Sequence, residues 1–315
     1  MKARCAYCQK WSIPVWLPLI IGLMMFLIRS VTPWSALALD PRTTPHRIIS
    51  LAPNITEIIF ALGQGDRLVG VTRYCDEPAA ARKIEKIGGF TDPNLEKIIA
   101  LKPDLILSVK NGMNRPTVQR LEQMGLRLVV IEDYTLDQIH QGITTIGREL
   151  ACPEKARTLV ASMSQAVEQV RQKTQAVTRR RVAVVLARSP YILAGSGTYP
   201  DELVNIAGGQ NIVIASNARY PRYTLEKILA DQPEVIIDIS SDQAGQPTAN
   251  LATPFAFWSK WTTVPAVKER RVYRLSSDAL TVPGPRIIQV LYELASKIHP
   301  EIFNANQSGP ATANP

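Results

Sequence analysis

At 315 residues the chain is longer than one hydrophobic core usually supports, so two domains with extensions are expected. Its 46% apolar and 20% charged residues are ordinary for a folded protein, and four of the cations behind the net charge of +9 (Lys2, Arg4, Lys10 and Arg29) stand in an acid-free stretch of 38 residues at the start. The remainder carries only +5, aromatics are sparse at 6%, and no basic stripe interleaves with them, which argues against nucleic-acid binding.

Residues 1–38 read as an export signal: a basic start, an apolar stretch from Ile13 to Ile28, then Ala36-Leu37-Ala38 as a small-x-small cleavage site, with the mature chain starting near Leu39. The competing reading is an uncleaved membrane anchor, although sixteen residues containing Pro14 and Pro18 are short for a span. Both readings put the bulk of the chain outside the cytoplasm, and without a cysteine at the cleavage site a lipid anchor is not expected. Cys5 and Cys8 fall inside the leader. Cys75 and Cys152 remain, either as a disulfide formed in an oxidising compartment or as two free thiols.

Beyond the leader the chain repeats itself. A β-type run, Arg47 to Leu51, leads into a helix carrying Glu57 and ending at Gly63; Arg181 to Val185 leads likewise into one carrying Glu202 and ending at Gly208. Further on, LEKIIALKPDLIL (residues 95–107) and LEKILADQPEVII (225–237) agree at seven of thirteen positions. Within them Leu95, Ile98 and Ile99, and Leu225, Ile228 and Leu229, mark one buried face of a helix. Asn94 and Thr224 suit the N-caps, Pro103 and Pro233 the stops, and 104–109 and 234–239 read as buried parallel strands. Gly63 and Gly208 fit left-handed helix ends.

Between the copies, Glu154 to Arg181 lacks Gly and Pro, and its apolar residues Ala156, Leu159, Val160, Met163, Val167 and Val170 recur at helical spacing. The expected organisation is therefore α/β: a first lobe over 46–150, one long helix over 153–178, a second similar parallel-sheet lobe over 180–303, and a polar, disordered tail over 304–315.

Catalytic signatures are missing. There is no G-x-S-x-G elbow, Walker loop or H-E-x-x-H, and Gly195-Ser196-Gly197 is a lone G-x-G that reads as a loop bending towards a cleft. His46, His140 and His299 are far apart in unrelated contexts, so no metal site and no cofactor are expected. An exported α/β enzyme of similar topology is the alternative from a different class.

Five stretches in order carry a resemblance: RIISLAPNITEIIFALG from Arg47, VGVTRYCDEPAAARKIEKIGGF from Val69, NLEKIIALKPDLIL from Asn94, AGSGTYPDELVNIAGGQNI from Ala194 and YPRYTLEKILADQPEVII from Tyr220. Over Arg47 to about Phe303 the chain resembles the periplasmic binding proteins for cobalamin, iron–siderophores and haem, the ABC importer subunits built on a helical backbone (class III). The resemblance implies a non-enzymatic, monomeric periplasmic protein that holds a metal chelate between two lobes and delivers it to a permease and, through that, an ATPase. Ligands then meet loops beyond the carboxyl ends of parallel strands. In the first lobe these offer Pro53, Asn54, Tyr74, Phe90, Lys110 and Asn111; in the second, Tyr191, Tyr199, Arg219, Tyr220, Asp278 and Leu280. Where cobalamin binders tend to place tryptophans, these loops carry Phe90, Lys110, Tyr220 and Leu280, while Trp258 and Trp261 read as core. Arg73-Tyr74 with Tyr220 and Arg222 would suit an anionic ferric chelate instead. The family also uses acids at the positions of Glu96 and Glu226 to meet arginines on a two-fold permease, whereas taken singly each acid would merely complement its helix dipole.

Overall fold

The structure, a computed structural model, describes residues 44–110, 115–214, 216, 218–240, 254–275 and 278–303. The described residues from Pro45 to Phe303 form one compact unit. The leader and tail of the sequence reading lie outside the described residues.

The first lobe is built on four strands, β1 (Ile48–Ser50), β2 (Leu68–Val71), β3 (Leu105–Val109) and β4 (Leu128–Ile131), all parallel in the order β2-β1-β3-β4. Every residue of β1 and β3 is buried, as a central strand covered on both faces requires. Among the described residues this lobe has the α-helices α1 (Pro53–Ala61), α2 (Leu95–Ala100), α3 (Arg115–Gln123) and α4 (Leu136–Glu149). Helix α5 (Pro153–Thr174) then leads into the second lobe.

That lobe contains β5 (Arg180–Arg188), β6 (Tyr191–Leu193), β7 (Gly209–Asn211), β8 (Arg222–Tyr223), β9 (Val235–Asp238) and β10 (Val272–Tyr273), with helices α6 (Tyr199–Ile206), α7 (Leu225–Ala230), α8 (Pro254–Trp258), α9 (Pro265–Lys268), α10 (Ile287–Ile298) and α11 (Pro300–Phe303). The core of its sheet is parallel, with β7 and β9 beside β5 and β10 beside β9. A flank of β6 and β8 is antiparallel. The cause is local: only Ser189 and Pro190 separate β5 from β6, and so short a link can return the chain only antiparallel.

The duplicated helices are capped alike. The Asn94 side chain accepts from Lys97 N and the Thr224 hydroxyl from Lys227 N. Each ends before its proline, at Ala100 and Ala230, and the residue just ahead of the proline, Lys102 (φ 44°) or Gln232 (φ 48°), turns left-handed. Gly63 and Gly208 hold φ of 67° and 80°, values that only glycine adopts without strain.

Helix α5 is 22 residues long, about 33 Å at 1.5 Å per residue, and stops short of the expected 178. Its last residue, Thr174, is tied to the second lobe by a hydroxyl bond of 2.7 Å to Ile206 O. Ala156, Met163, Val167 and Val170 are buried, with Leu159 and Val160 packed beside them, in a single apolar cluster that also contains Ile48 and Leu107 of the first lobe and Val184, Leu203 and Leu291 of the second. A second cluster under β5 and β9 encloses Trp258, with Trp261 against it; Trp258 Nε1 donates to Asp238 at 2.7 Å. Cys75 and Cys152 are free thiols, so the disulfide alternative falls: Cys75 is buried with its sulfur 3.2 Å from the Thr56 hydroxyl, and Cys152 occupies the N-cap position of α5 without a side-chain cap bond.

Candidate functional site

The first-lobe strands all point the same way, so their carboxyl ends open onto one side, and the loops there form one wall of a cleft. Pro53 and Asn54 begin α1 directly after β1, Tyr74 follows β2, Val109 ends β3 and Asp133 follows β4. With Phe90, and with Thr281, Val282 and Pro283 from the second lobe, they enclose a cavity of about 180 Å³. That is below the usual ~300–1,000 Å³ of a small-molecule pocket, as fits the floor of an open cleft. Tyr74 stands up from it, 57% exposed.

The polar floor is a pair. Asn54, only 3% exposed, donates through Nδ2 to Asp133 Oδ2 at 2.9 Å. Burial pushes the Asp133 carboxyl up to about 6, against the lowering effect of the Asn54 bond, and the neighbouring Glu132 carboxylate adds to the rise. Glu132 itself is held below the usual range by its ion pair with Lys110 at the rim. The Tyr134 hydroxyl donates to Lys110 O at 2.7 Å, and the Arg219 guanidinium sits 4.3 Å from the Tyr134 ring centre. Beside them, partial burial and the Asp133 carboxylate push the Tyr220 phenol up to about 12.

Of the residues expected from the sequence, the structure brings Pro53, Asn54, Tyr74 and Phe90 together in the cavity wall, with Lys110, Arg219 and Tyr220 grouped around Glu132–Tyr134. Asn111 lies outside the described residues. Three others stand away from the cleft surface. Tyr191 is on β6, its ring 6.4 Å from that of Trp258 in the second core. Tyr199 is 4% exposed and Leu280 1%, and the Tyr199 hydroxyl donates to Leu280 O, so both support the loop from beneath. Asp278 is exposed but pairs with Arg286 at 2.8 Å and does not line the cavity. Of the cations that would suit an anionic chelate, Arg73 stays beside Tyr74, its guanidinium 5.7 Å from the ring centre, and pairs with Asp92 at 2.6 Å, while Arg222 lies on strand β8. The three histidines are dispersed over the N-terminal edge of β1, helix α4 and the C-cap of α10.

Asp133 and the segment Thr281–Pro283 were missed. Asp133 was findable, because Leu128 to Ile131 is a short apolar run of strand type and the same loop rule applied to its carboxyl end points to Glu132 and Asp133. The other segment has no local signature, only its place opposite α1.

Next to the cleft the lobes are fastened by the duplicated glutamates. Glu57 on α1, 6% exposed, pairs with Arg286 of the second lobe, and Glu202 on α6 accepts from Leu136 N of the first lobe at 2.7 Å. Glu96 and Glu226 occupy the first turns of α2 and α7, exposed beside buried Ile98 and Ile228, and no ion pair engages either among the described residues.

Comparison with known proteins supplies the context. A family model described as periplasmic binding protein matches residues 48–279. A vitamin B12-binding protein of Vibrio vulnificus is 31% identical over 250 residues, 79% of this chain and 88% of that one. An uncharacterised ABC transporter substrate-binding lipoprotein of Bacillus subtilis is 30% identical over 82% of both chains. Among solved structures, the periplasmic vitamin B12 binding protein of Vibrio cholerae superposes with a TM-score of 0.70 at 31% identity, covering 83% of this chain and 99% of that one.

Proposed function

The chain belongs to the periplasmic binding protein family, a family of substrate-binding proteins rather than enzymes, and on that premise we propose that it captures cobalamin or a closely related metal chelate in the cleft described above. The observation that carries this reading is the cleft itself: Tyr74 and Phe90 in the cavity wall, with Tyr220 beside Asp133, offer flat apolar area around a floor of Asn54 and Asp133, a surface suited to a broad macrocycle with uncharged polar edges. The similarity to vitamin B12-binding proteins over most of both chains supports it.

Haem or a ferric siderophore is the alternative cargo of the same fold. One observation weighs against it: Arg73, the cation beside Tyr74, already pairs with Asp92 at 2.6 Å.

The protein acts in the periplasm as a monomer, handing its cargo to an ABC permease coupled to an ATPase, in keeping with the ABC transporter relative. Glu96 and Glu226, equivalent in the repeat and each unpaired among the described residues, are the docking acids. No helix among the described residues is long and apolar enough to cross a membrane.

Titration of the purified protein with cobalamin, haem and ferric siderophores, followed by visible absorption and calorimetry, tests the cargo. Cobalamin is expected to bind at micromolar or tighter, about −8 kcal/mol or better. Tight zinc or manganese binding with failure of every chelate rejects the reading.

A further inference from the structure

Asp133 stands out among the cleft residues because it is the one carboxylate in the cavity wall, and among the described residues no cation forms an ion pair with it. Its hydrogen-bond partners are neutral, the buried Asn54 amide and its own backbone N–H. Every neighbouring element leaves that charge uncompensated. On its own segment Glu132 is anionic and is itself paired with Lys110 at the end of β3, and Tyr134 is engaged with Lys110 O. From the second lobe come Tyr220, Tyr199 at the start of α6 and Arg219, whose guanidinium is stacked on Tyr134; Thr281, Val282 and Pro283 bring no ionisable group. A ligand seated here strips water from Asp133 and must replace it. Amide N–H groups on the ligand do so by donating to the carboxylate. Carboxylate groups do not, and they add like-charge repulsion in a partly desolvated site.

We infer that Asp133 is a specificity-determining residue that selects chelates edged with uncharged amide donors and rejects those edged with carboxylates. The inference rests on the proposed chelate-binding role of the cleft and names the feature of the cargo that is read. It also gives selectivity a pH dependence. Because burial holds the acid at about 6, protonation in mildly acidic medium turns the carboxylate into a neutral group that can donate, and the bias against carboxylates relaxes as pH falls through that value.

The test compares cyanocobalamin with the same corrinoid after its peripheral amides are hydrolysed to carboxylates, using calorimetry at pH 8 and pH 5.5 on the wild type, Asp133→Asn and Asp133→Ser. The wild type is expected to prefer the amide form at least about tenfold at pH 8, the effect of one close like-charge contact at intermediate dielectric, and several-fold less at pH 5.5. Both variants are expected to lose most of the preference at pH 8 and to show a flat ratio between the two pH values; Asp133→Ser guards against an effect of Asn shape alone. Binding of both ligands by folded variants with the wild-type ratio and pH profile overturns the role of Asp133 while leaving the chelate reading intact. Failure of the folded wild type to bind either corrinoid overturns both.

Discussion

An uncompensated acid in the cleft should weaken the empty protein, and the size of that effect can be worked out. The Asp133 carboxyl sits at about 6 in the folded chain against 3.8 for an exposed aspartate. The folded state therefore holds the proton more tightly than the unfolded state. The stability this acid contributes is complete below 3.8 and is lost as pH rises through 6. At 1.36 kcal/mol per pH unit, ionised Asp133 costs the folded state up to about 3 kcal/mol at pH 8. Asp133→Asn keeps an oxygen for the Asn54 amide and removes the charge, so the ligand-free variant should be more stable than the wild type by up to that amount at pH 8. For a chain of this size each kcal/mol moves the melting midpoint by roughly 2 °C, giving a rise of up to about 6 °C. At pH 3.5, where the wild-type carboxyl is protonated in the folded state, the difference should nearly vanish. Calorimetric melting at the two pH values is the assay. A variant that melts at or below the wild-type temperature at pH 8, or that gains equally at both pH values, refutes the reasoning. Gain in stability on removing a cleft acid is the expected signature of a residue retained for binding.

Two further outcomes are expected. Helix α5, the shared apolar cluster and the two cross-lobe fastenings, Glu57 with Arg286 and Glu202 with Leu136 N, resist hinge motion, so X-ray scattering profiles with and without cargo should nearly superpose, and a large fall in radius of gyration on binding would contradict this. Glu96→Ala and Glu226→Ala, singly and together, should leave folding and cargo affinity close to wild type while weakening permease binding and uptake, the double variant most; unchanged transport in the double variant returns both acids to helix-dipole partners.

The features legible in the sequence are those that local chemistry decides. The two LEK helices follow from apolar spacing and from the caps Asn94 and Thr224; the buried strands after them from short apolar runs; the helix ends at Gly63 and Gly208 from the one residue that turns left-handed freely. The position of Asn54 and Tyr74 at the carboxyl ends of parallel strands was likewise readable, since strand direction sets it. Tertiary packing decided the rest. Tyr191, Tyr199 and Leu280 have the composition of ligand contacts, but which side of a loop faces the cleft depends on the opposing lobe, and packing turned Tyr191 towards Trp258 and Tyr199 under Leu280. Glu57 and Arg286 are 229 residues apart, and no periodicity links them. The same holds for Asp133, whose meaning comes from having no ion-pair partner among the described residues: a sequence displays which charges a chain carries, and only the fold determines which of them are left unpaired in a cleft.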